Sequence, residues 1–297
     1  MIAIKASLLL SAALLAGSAL APTLVGVAPP PRAWRVVMLV LTALVIALSA
    51  YEIVANLGRL LGFVDWDNFV YYLQSTRHGN AALLRSGVAL VLGVLLLIRP
   101  GEGLALPKAL LALALLFSFS YSSHAAAMGG VGPMVVDWLH YVAVAAWLGA
   151  LITVVASAIW TPAAHELRSE AVARLSAIGL AAVIAMAFTG VVSTLVHLSD
   201  PPSFVASPYA RSWLVKVAIV ITVIACAAWN RLRLVPLTLK RPGSNGLRAG
   251  ITVELALLAA VLVATGWLST SPLPHSADAG VNAFENLQGF IEYLKER

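Results

Sequence analysis

The 297-residue chain has one cysteine, Cys226, so it can form no internal disulfide and no cysteine-rich metal cluster. Any metal it holds must be ligated mainly by His, Met or carboxylate side chains. Charge is scarce as well: 11% of residues are Asp, Glu, Lys or Arg, against roughly 25% in a soluble domain. No segment has the composition of a soluble domain. There is no recognisable nucleotide-binding loop and no ATPase-like stretch, so movement of a solute would be passive or coupled to a gradient, and enzyme activity is not indicated. The net charge of +6 comes from Lys and Arg in short links between apolar runs. Membrane orientation accounts for such a pattern, and it argues against a nucleic-acid partner.

Hydrocarbon-compatible sequence is plentiful. Hydrophobic residues make up 61% of the chain and the mean hydropathy is +0.92. Apolar runs lie near 1–21, 33–57, 81–98, 106–123, 134–160, 171–198, 212–230 and 247–268, and a membrane crossing needs about 20 helical residues. The expectation is an all-α polytopic bundle of eight spans, forming one transmembrane domain over 1–274. An amphipathic C-terminal tail over 275–297 follows, with Phe284, Leu287, Phe290, Ile291 and Leu294 on one face. Between Gly58 and Asn80 the chain is too polar to span. There Trp66, Phe69, Val70 and Leu73 recur at i, i+3, i+4 and i+7 behind Asp65, which predicts an interfacial helix near 65–78 with Asp65 as its N-cap.

Basic residues concentrate in the links after spans one, three, five and seven, among them Arg32, Arg35, Arg168, Arg231, Arg233 and Arg241. Both termini are therefore expected on the side away from the cytoplasm. Lys5 and the run ending Ser18-Ala19-Leu20-Ala21 resemble a cleavable signal peptide. Cleavage would reverse the charge bias, and Pro22 is a poor residue after a cut, so a retained first helix is expected. A weak repeat relates Thr76-Arg77-His78-Gly79, leading to Leu83-Leu84-Arg85, to Ser207-Pro208-Tyr209-Ala210, leading to Leu214-Val215-Lys216. This fits two four-helix halves in parallel, and chance loop composition fits it too.

Among the six histidines, His124, His140 and His197 fall near the outer ends of three successive spans. Met128 and Met134 flank the Gly-rich link between His124 and His140, and Met186 shares a helical stripe with Gly190, Ser193 and His197. Imidazole with thioether is a ligand set suited to Cu(I). Taken singly, each residue has a plain structural role: a packed or solvated histidine, a core methionine, small residues easing helix contact. Glu52 either joins the outer site or pairs with Arg59 or Arg85. Glu254 is expected in a structural ion pair, with Asn230 and Arg231 as neighbours, and Lys216 is expected to snorkel toward the outer surface. Cys226 lies where an ion could be received near the inner face.

The stretch 138–151, WLHYVAVAAWLGAL, resembles the HxxxxxxWxG helix of the copper resistance protein D family. The elements SSHAAA around His124, STRHGNAALLR, SPYARSWLVKV, AWNR and VELALLAAVLVATGWLSTSPLP line up in the family's order, covering about 58–274. The resemblance implies an eight-helix inner-membrane protein that moves copper from periplasm to cytoplasm beside a periplasmic CopC-type carrier, with His124, His140 and Trp147 as carried-over positions. Two other readings use the same residues. One is a membrane cytochrome with a single outer haem held by paired histidines, and the other a copper chaperone or insertion factor that never transports.

Overall fold

A computed structural model describes residues 2–26, 32–98, 102–123, 126, 131–160, 169–197, 208–240 and 245–270. Its helices are α1 (Ile2–Val25), α2 (Arg32–Leu61), α3 (Trp66–Ser75), α4 (Arg77–Leu97), α5 (Ala105–Tyr121), α6 (Val131–Trp160), α7 (Ser169–His197), α8 (Pro208–Trp229), α9 (Val235–Lys240) and α10 (Asn245–Leu268). A π-helical turn, Asn230–Leu234, joins α8 to α9. Seven helices (α1, α2, α4, α6, α7, α8 with its continuation, and α10) are long and apolar enough to cross a membrane. The expected fourth span is α5. Its 17 residues rise only about 25 Å, short of the ~30 Å hydrocarbon core. The tail over 275–297 lies outside the described residues.

Small side chains explain why α1 sits in the middle. Ala12, Ala13, Ala16, Gly17 and Ala19 are all buried, and α1 touches α2, α4, α5, α6, α7 and α10. Where it crosses α6, Gly17 lies against the backbone of Ala145 and Gly149, and a Cβ on either glycine would fall on the opposing main chain. Lipid tails offer helices no hydrophobic drive to associate, so such close backbone packing supplies the van der Waals attraction instead. Ala13 with Gly17 and Ala145 with Gly149 give both helices the small-xxx-small spacing that permits it. Outward-facing positions remain apolar, as with Val36 and Val40 of α2, Leu90 and Val94 of α4, and Ile184, Phe188 and Val191 of α7. Hydrocarbon accommodates them at no cost.

The interfacial helix forms as its periodicity dictates. The Asp65 carboxylate accepts from the Asn68 amide at 2.7 Å, Trp66 is exposed, and Tyr72 packs with Ile53, Leu57 and Ala82. Burial pushes the Tyr72 phenol above its ordinary pKa. The helix ends at Ser75, earlier than expected, because Thr76 adopts an extended conformation. Thr76 serves two helices: its hydroxyl donates to the Tyr72 carbonyl at 2.7 Å and accepts from the Gly79 amide at 2.9 Å. The next span accordingly starts at Arg77, four residues before its apolar run.

Candidate functional site

His140 lies in the third turn of α6, and its Nδ1 is 2.8 Å from Thr189 Oγ1 on α7. Thr189 is fully buried, and its hydroxyl donates to the Ala185 carbonyl at 2.7 Å. A hydroxyl has one proton, so with that proton on Ala185 the imidazole must donate from Nδ1. The lone pair then belongs to Nε2. A second-sphere contact of this kind fixes the tautomer and orientation of a metal-binding histidine. Met186 lies one turn inward of Thr189 on the same helix, partly buried against the core.

Around His140 the structure gathers groups that the sequence did not connect. Asp137, one turn earlier on α6, acts electrostatically on Tyr141 and on Tyr209 and Lys216 of α8. Lys216 in turn acts on His140. α8 begins at Pro208, so Lys216 lies about 12 Å along it, where the charge of Asp137 acts on it. Asp137 was legible as a carboxylate three residues before His140 inside an apolar run, a placement that by itself marks a functional candidate.

A second polar group adjoins this one through Tyr141, which feels Arg85 as well as Asp137. Arg85 is 3% exposed. It reaches Glu52 at 3.4 Å, Ser118 Oγ at 3.3 Å and Ser122 Oγ at 3.4 Å, and lies 4.0 Å above the Phe119 ring. Glu52 is thus engaged by Arg85 rather than Arg59. Nearby, Arg77 donates to the Ala126 carbonyl at 2.7 Å and covers Tyr121.

Several expected site residues are not brought together. His124 and Met128 lie outside the described residues. The backbone of His197 closes α7, and its side chain is likewise outside the description. Met134 is six residues before His140 on one helix, about 120° around its axis. Ser193 shares the Thr189 and Met186 face, one turn outward. Gly190 has open space where a Cβ would project, so it is not a close-packing glycine. Trp147 is buried two turns inward of His140 and lines a cavity with Glu254. Cys226 lies toward the far end of α8, 3.9 Å from the Gly250 carbonyl. Among the described residues no three of His, Cys, Asp and Glu converge as a metal cluster.

Two family models match the chain. One, described as Copper resistance protein D, matches residues 169–268; the other, Copper resistance protein D-like, N-terminal domain, matches residues 1–134. Thr189, Met186, Lys216, Cys226 and Glu254 fall in the first match, Glu52 and Arg85 in the second, and His140 and Trp147 between the two. No curated protein and no solved structure matches the chain.

Proposed function

Because the chain belongs to the copper resistance protein D family, we propose that this multi-pass membrane protein binds Cu(I) at an outer His/Met site centred on His140 and passes it toward the cytoplasm. The carrying observation is the His140–Thr189 hydrogen bond, which leaves Nε2 as a ligand atom with a thioether one turn below. His124, Met128 and His197 complete the ligand set, with Met134 at its rim and Ser193 and Trp147 in support. The flanks of His124 favour this: Ser122 is held by Arg85, Ala126 by Arg77, and Phe119 packs on Tyr141, the neighbour of His140. In this reading both termini face the periplasm of the inner membrane, and a periplasmic CopC-type carrier delivers the ion. Counting α5 as a crossing gives eight spans in two four-helix halves. Support for the repeat comes from Arg85 of α4 and Lys216 of α8, which hold matching positions in the repeated segments and each lie beside a carboxylate.

Two substitutions test the proposal. Thr189→Val keeps the shape but removes the acceptor that orients His140, and loss of such a contact weakens metal binding by roughly 10- to 100-fold. Competition with a Cu(I) chelator reads the change, and unaltered affinity would detach Thr189 from the site. Met186→Leu conserves volume, costs typically under about 1.5 kcal/mol in a core, and removes only the sulfur. It should slow copper accumulation several-fold at equal abundance; unchanged uptake leaves Met186 as core packing and favours a chaperone. Elemental analysis with a visible spectrum decides the metal: copper without a Soret band supports the proposal, whereas a Soret band replaces it with the cytochrome reading.

A further inference from the structure

We propose that Glu254, Asn230 and Cys226 form a second cation site, in the half of the bundle away from His140, built for a soft monovalent cation. Assigning Cu(I) as its occupant rests on the copper reading above. The ion pair expected at Glu254 does not form. Arg231 turns to α7 instead, donating to the Ser176 carbonyl and hydroxyl at 2.7 Å each, and among the described residues no Lys or Arg pairs with Glu254. A carboxylate 5% exposed within a hydrophobic bundle is left with a neutral donor, Asn230 Nδ2 at 2.7 Å. Intramembrane ionisable groups are costly and are commonly retained for binding or transport.

Asn230 points to a ligand independently of the cysteine. It is 5% exposed, and its Oδ1 is buried without a hydrogen-bond partner. Buried acceptors are seldom left so. Asn230 Nδ2 is 4.0 Å from Cys226 Sγ, and Cys226 in turn lies beside the Gly250 carbonyl. Gly250 is required at that point, because a Cβ there would strike Asn230 Oδ1. The π-helical turn starts at Asn230, and such distortions recur where helices carry function.

The donors define the ligand class. Cys226 ligates as the thiolate, and with its proton taken up by the Glu254 carboxylate one negative charge remains at the site. A monovalent cation then leaves a neutral complex, whereas a divalent ion leaves net charge in a low-dielectric interior. The sulfur of Cys226 selects a soft ion. A cavity of about 190 Å³ adjoins the site: Glu254, Asn230, Trp147, Ser176 and Arg231 are its polar lining, the Arg231 guanidinium being held by Ser176. Cys226 lies behind Asn230 rather than on the cavity wall, and Val183 and Gly179 of α7 form a wall that begins one turn inward of Met186.

Because Cys226 is the single cysteine, alkylation of the whole protein by N-ethylmaleimide reads this site alone. In detergent or nanodiscs under anaerobic conditions, saturating Cu(I) or Ag(I) should slow alkylation tenfold or more, and Zn(II) should not. Glu254→Gln and Asn230→Ala should reduce the protection to within twofold. Equal rates with and without Cu(I) would overturn the site, as would protection unchanged in both variants or matched by Zn(II). The wild-type arm needs no variant, so misfolding of Glu254→Gln does not obscure the result, and Cys226→Ser should bind one Cu(I) fewer by dialysis. His140→Ala separates the two proposals: if it leaves copper stoichiometry intact while Cys226 stays protected, the outer site fails and the inner one stands. Loss of copper in His140→Ala, with Cys226 unprotected in the wild type, keeps the outer site and eliminates the inner one.

Discussion

Replacing Gly149 by leucine is expected to leave little folded protein in the membrane. A Cβ at this position already falls on the main chain of Gly17, and backbone, unlike the tip of a flexible side chain, cannot step aside. The remaining methyls would force α1 and α6 apart along the contact that seats α1 in the bundle. Overpacking typically costs about 1–3 kcal/mol, and backbone against backbone belongs at or beyond the upper end. Gly190→Ala is the control, since its new methyl meets nothing within 4 Å and should change stability by no more than ~0.5 kcal/mol. Thermal unfolding monitored by size exclusion compares the two. Equal stability in both variants would mean that the α1–α6 crossing is wrong.

The double variant His124→Ala, His140→Ala is expected to lose Cu(I) binding at the outer site by 100-fold or more. A copper ion stripped of its water depends on each nitrogen ligand, and two alanines leave only the His197 imidazole beside the thioethers. Anaerobic competition against a Cu(I) chelator measures the loss, and Gly190→Ala again serves as a control for packing. Full affinity in the double variant would remove both histidines from the site and, with them, the core of the functional proposal.

The spans were legible because the length of an apolar run is set by bilayer thickness, and α3 was legible because its stripe follows an N-cap. The neighbours of each span were not. The α1 sequence is apolar all round, so nothing in it says whether lipid or six other helices surround it; its glycine and alanines become informative only once α6 is in place. Around His140, periodicity picks out Met186 and Ser193 but not Thr189, whose contact is with a histidine on another helix. Asp137 is legible as a carboxylate inside an apolar run, but the groups it acts on, Tyr209 and Lys216, lie on another helix. Glu254 departs from its expected ion pair for a different reason: Asn230 and Arg231 are adjacent, about 100° apart on a helix, and only one of them can face α10. A π-helical turn, which hydropathy does not register, starts at that pair.

Hydrogen bonds join α7 to α8 and its continuation toward both ends, Trp213 to the Thr194 hydroxyl at 3.3 Å and Arg231 to Ser176, and the cavity lies at the second of these, with Ser176 and Arg231 in its lining. The body of α8 packs along α10 instead. Two rods fastened to each other at top and bottom, one of them packed along another partner in between, can bow apart without breaking either fastening. If copper is carried as proposed, such a seam would pass it by local widening, with no need for the whole assembly to rock between two faces.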